Sequence, residues 1–305
     1  MPSTTIVVGA GASVPFGLPT SSGLKALIVE NPPDPPRDFL SYPTFDQKVA
    51  MEQSLGWSKE RFAEELSRSG DATVDAWLGS HPSAWARRYG TFAIAATLLP
   101  FEVGLYGDPI LSGDWHAWLF GQLKRRGRLD SREVAVVTFN YDCLLEWALV
   151  QMLTNSLATS RDQAIEQVGG WNVQHVYGAL TWGVSEQDLT VLTRRPRTGA
   201  EFWHHHLQLA DDRERLENTG YRERVWKADQ LIFLGFAFDP TNLRRLGIGK
   251  EFPQWTGRKR RVIGTAFRLS GSEQRRVRET LDADAKLGDQ TEDCLTLLQN
   301  RVDRL

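Results

Sequence analysis

Several short segments place polar or conformationally special residues where apolar runs of the chain end. Thr5–Gly9 leads into Gly9-Ala-Gly-Ala-Ser13, the residues Gly9, Ala10, Gly11, Ala12 and Ser13, and then into Phe16-Gly-Leu-Pro-Thr20, with Gly17, Pro19 and Thr20. Glycine directly after a buried strand takes up dihedrals closed to other residues and lets a pyrophosphate approach the main chain. A helix starting there offers free N–H groups and the positive end of its dipole. Val14 stands where a dehydrogenase fingerprint needs its third glycine, so the spacing is not that of hydride-transfer enzymes. A tight turn that holds no ligand is the alternative, and the loop's position at the end of a buried strand favours the nucleotide reading.

The second segment, Thr138-Phe-Asn-Tyr-Asp142, puts Asn140 and Asp142 at the end of an apolar run with a helix beginning at once. Open α/β sheets bind ligands at such carboxyl ends. For either residue alone, capping of the next helix is sufficient explanation. The pattern recurs at His175-Val-Tyr-Gly178 and at Gly235-Phe-Ala-Phe-Asp239, the latter followed by Asn242. Histidine suits a general base because it titrates near neutrality. His175 and Tyr177 share one face if the strand continues through both. Asp239 and Asn242 read equally as ribose or phosphate contacts and as an Asp-Pro turn with helix capping. Phe238 lies within that segment, and Thr265 closes the last apolar run, within reach of an adenine or its ribose.

The elements that must position these residues are legible as runs. Five β-rich stretches stand out: Thr5–Gly9, Val134–Phe139, Asn172–Tyr177, Leu231–Phe236 and Val262–Phe267. Three are almost continuously apolar, as strands buried on both faces of a parallel sheet are. Helical stretches such as Leu144–Leu153 and Ala210–Trp226 alternate with them, which predicts a doubly wound, mostly parallel, Rossmann-like α/β sheet. About 125 residues separate the first two strands, too many for one crossover helix. After the proline-rich turn at residues 31–36 this interval reads as helical, over Glu60–Ser67, Thr73–Leu78, Tyr89–Leu99 and Asp114–Lys124. The expected organisation is one domain over residues 1–305, with a core at 1–30 and 130–270. A helical insertion spans 31–129 and a helical tail 271–305. In the tail, Ser270 and Glu273 predict a capping box opening a helix over Gly271–Leu281, with a further helix near Leu295–Arg301.

Composition narrows the function classes. The 305 residues carry 36 Lys+Arg against 38 Asp+Glu, a net charge of −2, which argues against a dedicated nucleic-acid binder. The two cysteines, Cys143 and Cys294, exclude a four-thiolate zinc ribbon within one chain and a disulfide framework. The N-terminus lacks a signal-like charged region, and the most apolar later window, Thr91–Phe101, is far short of the roughly 20 residues that span a bilayer. A cytoplasmic protein without membrane attachment is expected.

Taken in order, the four strand-end segments resemble the sirtuin-like NAD-binding superfamily over roughly positions 5–270. The Gly-Ala-Gly-Ala-Ser loop with its downstream Gly-x-Pro is similar to that family's nucleotide loop. Thr-x-Asn-Tyr-Asp is similar to its catalytic strand end, and the His/Gly and Leu-Gly-Phe-x-Phe-Asp-x-x-Asn segments to its later motifs. Thr73-Val-Asp-Ala-Trp-Leu78 and Gly264-Thr-Ala-Phe267 resemble patterns of the prokaryotic branch. Deacylases of the superfamily usually carry a four-cysteine zinc module in the insertion, and this insertion has no cysteine. The resemblance therefore implies the zinc-free antiphage branch, whose members destroy cellular NAD.

That resemblance implies cleavage of the nicotinamide–ribose bond, with NAD as substrate, no metal, and nicotinamide plus ADP-ribose (or a cyclic form) as products. Asn140 is expected to hold the attacking water or ribose hydroxyls, Asp142 to orient the ribose or offset positive charge, and His175 to act as base. One departure stands out: the family's histidine directly precedes glycine, where this chain has Tyr177. Homo-oligomerisation and a separately encoded partner, a HerA-type ATPase or an Argonaute, are implied as well. A protein deacylase and a catalytically weak NAD- or ADP-ribose-binding regulatory subunit are the alternatives. His204-His-His206 reads as a solvated helical face, since successive residues diverge around a helix. The basic runs at 124–126, 194–197 and 258–261 read as surface loops.

Overall fold

The computed structural model describes residues 3–35, 51–53, 56–106, 108, 114–125, 127, 134–181, 207, 220–256, 259–281, 284–303 and 305. Its centre is a six-stranded sheet of β1 (Thr4–Val8), β2 (Val134–Thr138), β3 (Val173–His175), β4 (Gln230–Leu234), β5 (Arg261–Gly264) and β6 (Lys286–Leu287). The strands run in the order β3-β2-β1-β4-β5-β6 and all pairings are parallel. This is a Rossmann-like doubly wound arrangement. β1, β2 and β4 are buried at every position, which is why their sequences are mostly apolar rather than alternating, with Thr4, Thr5, Thr138 and Gln230 at their ends.

Among the described residues the helices are, in chain order, α1 (Ser21–Glu30), α2 (Lys59–Arg68), α3 (Val74–Ser80), α4 (Ala84–Gly104) and α5 (Asp114–Arg125). They continue with α6 (Leu144–Leu157), α7 (Arg161–Gly169), α8 (Gly220–Lys227), α9 (Pro240–Arg245), α10 (Gly271–Leu281) and α11 (Cys294–Arg301). α2 to α5 lie between β1 and β2, as the length of that interval requires. They pack on the core rather than standing apart from it: α1 touches α2, α3 and α4, while α5 lies against α6 and α11. α4 is longer than the apolar window suggests because it buries Trp85 and Tyr89 in its first turns and runs through Pro100 to Val103. Among the described residues no helix is long and apolar enough to cross a membrane.

The tail carries more than helix. β6 pairs with β5 and extends the sheet by one strand, a feature the sequence does not announce because only two residues take part and one is Lys286. The capping box before α10 is present: Ser270 N–H donates to Glu273 Oε2 at 2.7 Å and Glu273 N–H to Ser270 Oγ at 3.3 Å. Of the stretch Ala210–Trp226, Gly220–Lys227 is helical, and the rest lies outside the described residues, as do His204–His206 and the run at 194–197.

Candidate active site

The strand order reverses direction between β1 and β4, and the loops leaving these two strands meet there. Gly9 N–H donates to Leu234 O at 2.9 Å and Gly11 N–H to Gly235 O at 3.0 Å. A Cβ on Gly9 would lie 2.7 Å from Gly235 O, and one on Gly11 2.8 Å from the same atom. Glycine at 9 and 11 is therefore required by backbone lying on backbone, a use different from the approach of a pyrophosphate. The next N–H groups turn inwards, Ala12 to Gly9 O and Ser13 to Ala10 O.

No α-helix starts directly at the strand end. Two 3-10 turns, Ala10–Ala12 and Val14–Phe16, come first, and Gly17 then reverses the chain at φ +89°. Pro15 in the second turn lacks the N–H that a continuing helix would use. α1 begins only at Ser21, with Thr20 Oγ1 accepting Gly23 N–H at 3.1 Å and Pro19 lying against Gly23. From the insertion, Trp115 Nε1 donates to Ala12 O at 3.0 Å and so fixes the loop.

The polar centre joins this loop to the end of β2. Asn140 Nδ2 donates to Ser13 Oγ at 2.9 Å, and the Ser13 hydroxyl donates in turn to Asp142, 3.0 Å from Oδ2 and 3.2 Å from Oδ1. Leu144 N–H reaches Asp142 Oδ1 at 3.4 Å, so helix capping is part of what this carboxylate does. Asn140 is 5% exposed, and its Oδ1 has no hydrogen-bond partner among the described residues. An unpartnered buried acceptor is costly and marks a place where a donor belongs. Burial pushes the Asp142 carboxyl up to about 6, against the Ser13 hydrogen bond, so it is mostly ionised at neutral pH.

No protein-family model matches the chain, and no curated protein matches it. The site's chemistry is therefore read from its own groups.

His175 and Tyr177 do not share a face. β3 ends at His175 and a turn follows, so the two rings part. His175 Nδ1 lies 3.0 Å from Asn140 O, which only accepts, so this nitrogen carries the proton. Its Nε2 lies 2.6 Å from Glu146 Oε1. Burial works against the imidazolium, but the Glu146 carboxylate more than offsets it and raises the ring's pKa. With both nitrogens engaged, His175 holds the Asn140 main chain. Tyr177 is buried with its hydroxyl donating to Asn242 Oδ1 at 2.6 Å. The Arg245 guanidinium sits 4.7 Å from its ring centroid, and burial keeps the phenol protonated.

The β4 loop completes the edge. Gly235 has φ +57° and its N–H donates to Thr265 Oγ1 at 2.9 Å, so Thr265 is a brace for the loop, buried behind it. Phe238, at φ +55°, packs its ring against Phe233 and Phe236. Asp239 caps α9, its Oδ1 accepting from Thr241 N–H at 2.8 Å, and Asn242 receives Tyr177. Of the residues singled out in the sequence, Ser13, Asn140, Asp142 and His175 form one connected group, and Tyr177 and Asn242 a second. The glycines and Thr265 set the loops.

Four further participants, Glu146, Glu102, Cys143 and Asp75, have no role at the site that the sequence alone assigns. Glu146 lies one helical turn beyond Asp142. Glu102 and Cys143 are buried to 0% exposure, with Glu102 Oε1 accepting from Cys143 N–H at 3.0 Å. Asp75 lies in the Thr73–Leu78 segment that the resemblance marks, and its carboxylate accepts the Tyr141 hydroxyl. Burial pushes Asp75 up to about 6, partly opposed by Arg245. Because the folded state holds the proton more tightly than the unfolded chain, Asp75 costs stability as pH rises from about 4 to about 6, by at most about 3 kcal/mol. An Asp75→Asn variant keeps an acceptor for Tyr141 and removes that charge. Its stability relative to wild type should therefore rise through this window and stay higher at pH 7–8, read as denaturant midpoints. A constant difference between the two proteins from pH 4 to 7 would count against this account.

Proposed function

We propose that the chain binds NAD+ along the carboxyl edge of the sheet and hydrolyses its nicotinamide–ribose bond. The observation that carries this reading is the Ser13–Asn140–Asp142 network with its unpartnered Asn140 Oδ1. It lies beside the point where strand order reverses, the usual ligand position in such sheets. In this reaction nicotinamide leaves as a neutral molecule with the bonding electron pair, so no acid is needed. Positive charge builds on the ribose, and water then adds at that carbon and gives up one proton. Asp142 offsets the charge and takes that proton, while Asn140 Oδ1 accepts from a ribose hydroxyl or the incoming water. His175 is a positioning residue that fixes Asn140 through its carbonyl. Tyr177, Asn242 and the β4 loop border the ligand. NAD depletion in antiphage defence, homo-oligomerisation, a cytoplasmic setting and a HerA-type ATPase or Argonaute as partner rest on the sirtuin-like resemblance.

A second reading is favoured by His175, whose two ring nitrogens are already engaged: a subunit that binds NAD or ADP-ribose without turning it over. Purified protein incubated with NAD+, alone and with each partner, separates the two. Nicotinamide release with ADP-ribose as co-product supports hydrolysis. Saturable ADP-ribose binding without release under every condition supports the second reading. Neither binding nor release rejects both.

A further inference from the structure

Behind the Asn140–Asp142 loop lies a group of side chains that the proposed reaction does not use directly. The Cys143 sulfur, a Glu146 carboxylate oxygen and a His175 ring nitrogen lie within 4.8 Å of one another. Cys143 is the N-cap of α6 and Glu146 lies in its first turn. His175 comes from the end of β3.

The surroundings favour a cation. Cys143 is fully buried and Glu146 is 2% exposed. Glu102, the stronger of the two carboxylates acting on the Cys143 sulfur, is also fully buried, and its Oε2 has no hydrogen-bond partner among the described residues. Asp142 is buried beside them. Among the described residues no lysine or arginine pairs with Glu102, Asp142 or Glu146, and His175 is the one ion-pair partner of the set. Three buried carboxylates against a single imidazole crowd acidic groups that the interior solvates poorly, and burial pushes Glu102 up to about 7 in consequence.

The second layer has the form metal ligands take. His175 donates Nδ1–H to a backbone carbonyl, Asn140 O at 3.0 Å, which fixes the tautomer and leaves Nε2 towards Glu146 and Cys143. Burial and the Glu102 and Glu146 carboxylates hold Cys143 as a thiol, with a Thr181 main-chain hydrogen bond to the sulfur opposing them, so only a bound cation would draw the proton off.

The geometry points to a structural zinc site made by Cys143, Glu146 and His175, with Glu102 as the neighbouring carboxylate. Thiolate, imidazole and carboxylate together select zinc over the oxygen-loving magnesium and calcium. Ion entry opens the 2.6 Å His175–Glu146 contact by about 1 Å, the ligand spacing that tetrahedral zinc requires, and replaces that hydrogen bond with two metal–ligand bonds. Two protons leave: the thiol proton and the one held between His175 and Glu146. The ion would tie the end of β3 to the start of α6 and so fix the loop bearing Asn140 and Asp142. This inference is independent of whether NAD is the ligand.

The test is metal content and spectroscopy on the full-length chain. Purified wild-type protein should hold about one zinc per chain by elemental mass spectrometry. After chelation and reloading with cobalt(II), it should show a thiolate-to-cobalt charge-transfer band in the near ultraviolet. Cys143→Ala should lose that band and the zinc, whereas a triple His204→Ala, His205→Ala, His206→Ala variant should keep both. Wild-type protein with neither zinc nor a charge-transfer band on cobalt loading overturns the assignment. So does zinc retained in full by a folded Cys143→Ala variant. If Cys143→Ala does not fold, the wild-type cobalt spectrum decides, together with loss of tight metal binding in Glu146→Gln.

Discussion

Asn140→Ala should reduce nicotinamide release by about 10²–10³-fold, the scale seen when one positioned polar group is removed from a developing charge. The same change should alter the folding midpoint only modestly. Among the described residues the side chain makes a single hydrogen bond, from Nδ2 to Ser13 Oγ, worth about 1 kcal/mol. The main-chain contact with His175 survives, because it uses the carbonyl rather than the side chain. The decisive comparison is release rate against ADP-ribose binding. A variant that still binds ADP-ribose but no longer releases nicotinamide places Asn140 in the chemistry. A variant as fast as wild type under activating conditions removes it from the mechanism.

The largest effect on folding is expected from Gly235→Ala. A Cβ there would fall 2.0 Å from Ala12 N and 2.4 Å from Gly11 C, main-chain atoms that no rotamer change can move. The residue also sits at φ +57°, which by itself costs a side chain about 1–2 kcal/mol. The two loops would have to separate and give up the Gly11–Gly235 hydrogen bond. A loss above about 4 kcal/mol is expected, enough to deplete folded protein. Gly17→Ala is the natural control, since Gly17 has a positive φ but a Cβ added to it would meet no atom within 4 Å. It should cost only the backbone term. Denaturant midpoints of the two variants measure the difference, and near-equal values would show that the loop contact is slack.

The sheet is readable because its strands are buried on both faces, and unbroken runs such as Val134–Thr138 have few other uses. The helices are legible wherever apolar period and caps coincide, as at Ser270 and Glu273. β6 is hidden because two residues make no pattern. At the site, Asn140 and Asp142 stand out through their position after a strand, and Ser13 through its place in the glycine loop. What the chain does not display is pairing across distance. Nothing near His175 in sequence announces Glu146 and Asn140 O as its partners, 29 and 35 positions away. Glu102 lies just beyond an apolar stretch and reads as the solvated end of a helix, yet its carboxylate is buried because Cys143, Thr181 and Tyr106 supply donors from elsewhere. The glycines are legible as special, but their partner is not, since the contact of Gly9 and Gly11 with Gly235 exists only after the sheet has formed.

Three of the insertion's contacts with the core fall on the loops of the candidate site: Trp115 at Ala12 O, Asp75 at the Tyr141 hydroxyl and Glu102 at Cys143 N–H. Each receiving group lies on a loop that also bears Ser13, Asn140 or Asp142. A core stripped of residues 31–129 would leave two donors and one carbonyl without partners at its most sensitive edge. Core and insertion therefore hold this edge of the sheet as one mechanical unit. A chimera exchanging only one of them between related chains should lose its cooperative unfolding transition, whereas exchanging both together should preserve it.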